Sequence, residues 1–276
     1  MSRITCSKAL RQTRSRSRRN SPGKNEGALL RNIRLTLQYD GTDYLGWQRQ
    51  SSSPATIQAI VEKVLSGILQ ENVRVAAAGR TDTGVHARQQ VANFKTHNPM
   101  SLRELQHGLN ALLPDDIKAV AVSVAAMDFH SRFSAREKTY QYTILNRAHS
   151  DVFARDHVYH YAVAKLSISR MRAAARLLTG SHDFTSFKTT GTGRNKSNIR
   201  FIKRIRIACK GSFIIIQITG EGFLYKMVRG IVGTLIEIGR GKLPVDSVRA
   251  MLRARNRASA GPTAPASGLC LLRVKY

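Results

Sequence analysis

The hydrophobic periodicity of this chain runs strand, helix, strand, strand, helix, strand, and then repeats that order, which restricts the fold more than any other feature. In the first pass, Asn32 to Tyr39 reads as a strand ending in the turn Asp40-Gly41. Thr56 to Leu69 is an amphipathic helix: Ile57, Ile60, Val61, Val64, Leu65, Ile68 and Leu69 recur at alternating spacings of three and one, and Thr56 caps it after Pro54. The apolar run Val73 to Ala78 and the alternating run Gln89 to Phe94 are strands on either side of a loop, Gly79 to Ala87. Ser101 and Glu104 form a capping box for a helix to about Leu113, with Leu102, Leu105, Leu109 and Leu112 inward. Pro114-Asp115-Asp116 stops it, and Ile117 to Val124 alternates as a strand. The second pass comprises strand Lys138 to Asn146, helix Ser167 to Leu178 with Gly180 as its stop, strands Phe201 to Cys209 and Phe213 to Thr219, helix Phe223 to Gly239, and strand Cys270 to Lys275. Residues 182–187 and 188–199 read as a long loop, and Val245 to Arg255 as a short basic helix.

That order predicts an α+β fold in which each half is ferredoxin-like, an antiparallel sheet with helices on one face. It divides the chain into a basic tail (1–31), an N-terminal α/β domain (32–134) and a C-terminal α/β domain (135–276). The halves share an architecture without close sequence similarity.

Charge narrows the partners. The formal net charge is +28, and the tail accounts for only +8 of it, so the folded part is itself strongly basic. Such a surface suits nucleic acid, where each neutralised phosphate releases counterions. The three cysteines, Cys6, Cys209 and Cys270, have no CxxC pairing, which argues against a disulfide framework or zinc ribbon and fits the reducing cytoplasm. No apolar run approaches the roughly 20 residues of a membrane span, and the N-terminus lacks the apolar core of a secretory signal. The Arg/Ser-rich tail reads as disordered, with an extra RNA-binding arm, an organellar transit peptide and an upstream start as competing explanations.

The Gly79 to Ala87 loop packs two glycines, Arg80, two threonines and Asp82 between two strands, where function concentrates. As plain structure, Asp82 would bond backbone amides in an Asx-turn. Asp82-Thr83-Gly84 spells the aspartic-protease triplet, but that chemistry needs a second carboxylate and no second such triplet occurs. Gly191 to Ser197 has the composition of a phosphate loop at the wrong spacing. His86, His130 and His182 lie far apart, without the companions of a metal site. A lone Asp acting on RNA as nucleophile or base is the remaining chemistry, and it calls for a guanidinium beside it. Arg80 and Arg229 are the candidates. Arg229 lies roughly 120° from the centre of its helix's apolar face, which is also where a solvent-facing Arg would be. For Tyr140 an aromatic on the buried face of a strand is the commoner reading. The stretch Tyr39 to Gln50 reads as a hairpin with a packed Trp47 or as a loop contacting RNA.

From about Ile33 to Tyr276 the chain resembles the TruA family of tRNA pseudouridine synthases. The resemblance is carried by Tyr39 to Gln50, Gly79 to Ala87, His130 to Ala135, Tyr140 to Tyr142, His182 to Phe184, Phe223 to Thr234 and Thr263 to Leu269, seven motifs in the family's order. It implies two ferredoxin-like halves in one mostly antiparallel sheet with a central RNA-binding cleft, working as a homodimer with no cofactor or metal. The reaction implied is isomerisation of uridine at positions 38, 39 and 40 of the tRNA anticodon stem-loop. By motif position Asp82 is the catalytic residue, Tyr140 stacks on the extruded uracil, Arg229 pairs with Asp82, and Arg80 assists base extrusion. Thr83 and Gly230 depart from the commoner residues of those motifs. A non-catalytic RNA-binding protein is the rival reading, and it would have no need to keep Asp82, Tyr140 and Arg229 together.

Overall fold

Every second side chain of Arg31–Tyr39 (β1) is apolar, so one face of that strand meets water-free surroundings: Ile33, Leu35 and Leu37 are 0% exposed, while Gln38 faces solvent. The computed structural model describes residues 29–189 and 197–276. Within them, β1 pairs antiparallel on one side with His86–Thr96 (β3) and on the other with Ile117–Ala125 (β4). The second half supplies Glu137–Leu145 (β5), Gly180–Asp183 (β7), Ile199–Lys210 (β8), Phe213–Gly220 (β9) and Leu269–Lys275 (β10). One sheet results, in the order β4-β1-β3-β10-β5-β9-β8-β7, with the two-residue strands Ala76–Ala77 (β2) and Tyr159–His160 (β6) attached to β3 and β5. The pairings are antiparallel except for β10 with β3 and β5 with β6. Setting aside β6 and β7, each half places its strands in the same relative order: fourth, first, third, second.

The halves meet at β10. It pairs with β5 from Leu269 to Lys275, but touches β3 only at Cys270 opposite His86 and Leu271 opposite Ala87. The seam therefore falls immediately after the Asp82 loop.

Helices cover the sheet where their apolar stripes require it. Ile57–Leu69 (α1) begins at Thr56, whose hydroxyl accepts from the Ala59 N–H, and it buries Ile57, Val61, Leu65 and Leu69. Glu62 is buried on the same helix, paired with Arg49 and Arg74 and accepting the Val75 N–H, so it fastens the run leading to β2. Leu102–Leu112 (α2) has both bonds of its capping box. Leu105 and Leu109 are buried, but Leu112, the last residue of the helix, is 62% exposed, a correction to the inward stripe. Ile168–Leu177 (α3) packs against β8 and against Met227–Gly239 (α4).

α4 is buried almost all round, the pattern of a helix inside a core. It begins at Met227, later than its apolar sequence suggests, because Lys226 takes the left-handed conformation (φ 56°) and breaks the turn before it. Its glycines allow close approach: a Cβ on Gly233 would lie 1.7 Å from the Pro262 carbonyl oxygen. The expected 182–187 loop is partly ordered, since His182 and Asp183 belong to β7 and Thr185–Phe187 forms a 3-10 turn. The basic helix is Ser247–Ala254 (α5). Gly191 to Lys196 and residues 1–28 of the tail lie outside the described residues.

Two glycines separate packing from propensity. Gly233→Ala is expected to lower stability by about 1–3 kcal/mol or more through overpacking. Gly67→Ala, on an open face of α1 with nothing within 4 Å of its Cβ position, should raise it by about 0.5–1 kcal/mol. Urea denaturation midpoints of the two variants check both signs.

Candidate active site

The loop that carries Asp82 is held by the strands beneath it and by a second loop beside it. The Ala78 N–H extends the ladder to the Val91 carbonyl (2.7 Å), and the Gln90 amide donates to the Gly79 carbonyl (2.7 Å). Thr81 is clamped three ways: its hydroxyl meets Tyr39 Oη at 2.8 Å, its carbonyl accepts the Trp47 N–H at 3.0 Å, and its residue is buried. Gly46 backs this contact with φ 87°, and a Cβ there would sit 2.6 Å from the Thr81 oxygen. The Gly84 N–H donates to Tyr44 O, and the Val85 N–H closes a turn onto Asp82 O at 3.1 Å. The Tyr39 to Gln50 motif thus acts as a brace. Trp47 is 2% exposed, which favours the packed-aromatic reading for that side chain.

Asp82 does not use its side chain for an Asx-turn. Its Oδ2 accepts from Arg229 Nη1 at 2.9 Å, with the side chains of Arg229 and Asp82 only 14% and 17% exposed. Arg229 is aimed by a second bond, from its Nε to the Ala264 carbonyl at 2.7 Å, while Ala264 N–H donates back to the Arg229 carbonyl. The solvent-facing alternative for Arg229 fails because α4 is enclosed on all sides, so a residue off its apolar stripe points at another part of the protein. A charge-assisted pair this sheltered from water is worth more than a surface one and fixes the carboxylate's direction.

Tyr140 lies on β5, buried, with its ring edge-on to Phe223 (centroids 5.2 Å apart, 88° between planes). Its hydroxyl would lie 3.7 Å from a Cβ on Gly79, at the start of the Asp82 loop. Burial drives its acidity well below that of a free phenol, with Tyr39 and Asp82 adding to the effect, so it stands as a neutral O–H. Lys138, two residues earlier, donates from Nζ to the Ala78 carbonyl at 2.6 Å. Burial, with a further push from Arg132, lowers its pKa to about 8. Arg80 is exposed and forms no ion pair with Asp82 among the described residues. The structure therefore pairs Arg229 with Asp82, brings the Tyr140 hydroxyl to the start of the same loop, and leaves Arg80 exposed. Sequence reasoning used Lys138 only as the start of a strand, and it missed Phe223 as the ring packed edge-on against Tyr140.

The histidines group differently from expectation. His86 joins Asp40 (Nδ1 to Oδ1, 2.9 Å) and His157 (Nε2 to Asp40 Oδ2, 3.3 Å), whereas His182 meets the Thr179 carbonyl and His130 lies in a separate turn. Ligand atoms of Asp40, His86 and His157 lie within 4.8 Å of one another, close enough to be tested for a metal. Both nitrogens of His86 are already engaged, Nδ1 by the Gly41 N–H and Asp40, Nε2 by the Ser267 carbonyl at 3.2 Å. The cluster is a joint between the Asp40 turn and the segment entering β10. Burial alone would raise the pKa of Asp40, but bonds from Thr42 and the two imidazoles outweigh it and hold the carboxyl below its ordinary range.

A family model described as tRNA pseudouridine synthase matches residues 36–134 and 174–276. The chain is 46% identical over 247 residues to tRNA pseudouridine synthase A of Clostridium acetobutylicum, covering 90% of this chain and 100% of that protein. It is 44% identical over 247 residues to tRNA pseudouridine synthase A of Geobacter sulfurreducens, with the same coverage of 90% and 100%. Among solved structures, a Cbf5-Nop10-Gar1 complex aligns at 13% identity with a TM-score of 0.37, over 87% of this chain and 48% of that one.

Lys138 makes a pH-dependent contribution to stability. Because its folded pKa (about 8) is below the unfolded one (10.5), the folded chain holds fewer protons between those values. Its cost is full below pH 8 and is relieved as pH rises towards 10.5. Wild type minus Lys138→Met, measured by denaturant unfolding from about pH 7 to 10.5, should therefore rise with pH. Taking the difference removes the opposite trend of the buried tyrosines.

Proposed function

The chain belongs to the tRNA pseudouridine synthase family, and from that we propose that it isomerises uridine to pseudouridine at positions 38, 39 and 40 of the tRNA anticodon stem-loop. It does so as a cytoplasmic homodimer using its own side chains. The observation that carries this reading is the Asp82 carboxylate, held at 2.9 Å by an arginine from the other half of the molecule, with both side chains largely shielded from water.

The reaction asks little else of a protein. The N1–C1′ bond of uridine breaks, a C5–C1′ bond forms, C5 releases a proton and N1 acquires one. No electrons or external groups enter, so a single nucleophilic carboxylate can carry the exchange. Asp82 supplies it, with attack at ribose C1′ and attack at the uracil ring both compatible with its position. Arg229 aims the carboxylate, and Tyr140 offers a ring for the uracil and a neutral hydroxyl beside it. The substrate uridine is stacked in a stem-loop and has to be extruded first. Arg80, exposed and two residues before Asp82, assists that extrusion. The net charge of +28 supplies affinity for the RNA backbone independent of the base being modified.

Incubation with unmodified tRNA followed by single-nucleotide mapping of pseudouridine tests the assignment; product confined to other positions would overturn it. Asp82→Asn should lose about 10⁴-fold or more in turnover, the scale seen when a nucleophile is removed, while tRNA affinity stays near wild type because phosphate contacts dominate it. Arg229→Lys cannot serve both Asp82 and Ala264 O with one ammonium. It should lose about 10²-fold in kcat through misplacement of the carboxylate, with little change in KM.

A further inference from the structure

The turn after β4 presents a side chain that the chemistry above does not use. Phe133 is 76% exposed. It is nonetheless ordered on two sides, with the His130 ring 4.4 Å away between centroids, tilted by 39°, and the Arg132 guanidinium 5.6 Å from its ring centre. The turn beneath is rigid. Ser131 is wholly buried; its hydroxyl donates to the Ala76 carbonyl (2.6 Å), its N–H to Asn93 Oδ1 (2.8 Å), and its carbonyl accepts the Tyr276 hydroxyl (2.8 Å). The Ser134 N–H closes the turn onto the His130 carbonyl. The Arg132 N–H donates to His130 Nδ1 at 3.1 Å, which sets the ring as its Nε2–H tautomer and fixes its plane.

This turn lies against the run that leads into the Asp82 loop, through the Ser131 bond to Ala76. Arg132 is near enough to Lys138 for its charge to act on that ammonium, and Lys138 Nζ bonds Ala78 O. A Cβ on Gly79 would lie 3.8 Å from Lys138 Nζ and 3.7 Å from the Tyr140 hydroxyl. One buried lysine thus separates the exposed ring from the Asp82 loop.

We propose that Phe133, with His130 and Arg132, is a stacking platform for a nucleobase that becomes unstacked beside the extruded uridine. The proposal rests on the RNA-modifying function above. Extruding one base leaves a neighbour with an open face, and a fixed aromatic ring covers such a face at little entropic cost. Arg132 lies where it can meet the adjoining phosphate while its guanidinium remains against the ring. A strongly basic surface and a flat, one-sided ring favour a nucleotide over an apolar peptide as the occupant.

The experiment titrates wild type, Phe133→Ala, Phe133→Trp and Arg132→Gln with unmodified tRNA. Phe133→Ala should weaken binding about 5- to 100-fold with an unchanged salt dependence, because it neutralises no phosphate. Arg132→Gln should reduce the slope of log affinity against log salt by about one. Phe133→Trp should bind like wild type, and its added indole emission should be quenched as tRNA saturates. Phe133→Ala binding within about twofold of wild type, against the stacking loss expected, would overturn the platform. So would indole emission from the Phe133→Trp protein that is indifferent to tRNA. Loss of a dimer in sedimentation with tRNA affinity intact would assign the ring to a second copy of the chain instead. If wild type forms pseudouridine while Phe133→Ala matches it, the platform alone is wrong; if wild type neither binds tRNA nor forms product, both readings fall.

Discussion

The seam at β10 holds the molecule together in more than one sense. A strand from the end of the sequence enters between β3 and β5 and pairs with β3 at only two residues, Cys270 and Leu271. Those partners, His86 and Ala87, directly follow the Asp82 loop, so the place where the two halves join is also the place where the site is assembled. Arg229 reaches Asp82 from α4, and its aim depends on Ala264 in the connector that leads into β10. His86 adds a second tie through the Ser267 carbonyl. Short strand pairing is weak by itself; here it is reinforced by a charge-assisted pair and a buried histidine joint.

Much of the fold was legible because water imposes simple rules on strands and helices. The alternation of Ile33, Leu35 and Leu37 and the capping box at Ser101 each reproduce a local preference that the structure also satisfies globally. The misses fall where tertiary contacts override local pattern. Lys226 adopts a left-handed conformation that no residue-type rule would assign to lysine, and α4 starts after it. β6 spans two residues, too short for any periodicity to register. His182 and Asp183 look polar and loop-like, yet β8 offers them a free edge.

The candidate site was less legible than the fold, for a physical reason. Periodicity tells which way a side chain points relative to an apolar stripe, not what lies there. Arg229 falls off the stripe of α4, and on a surface helix that would mean solvent. α4 is enclosed, so the same angle points at Asp82. Spacing leaves Arg80 and Arg229 as equal candidates for that contact; the motif resemblance is what selects Arg229. The Tyr39 to Gln50 stretch shows the converse: its aromatics suggested contact with RNA, but Tyr39 and Trp47 are turned inward to support Thr81. No sequence rule distinguishes an aromatic that meets a ligand from one that steadies the loop that does.

The lateness of β10 has a consequence for how the protein comes into being. During synthesis the Asp82 loop emerges early, but its arginine lies 147 residues further along the chain, and the strand that locks the halves together comes later still. A nascent chain can shape its first half, yet the loop lacks its charge partner until Arg229 has emerged, and its seam until residues 269–275 have cleared the ribosome. Contacts of such long sequence separation form slowly. The candidate site is therefore a property of the whole topology: a partly made chain already carries positive charge that attracts RNA, but Asp82 has no partner in it.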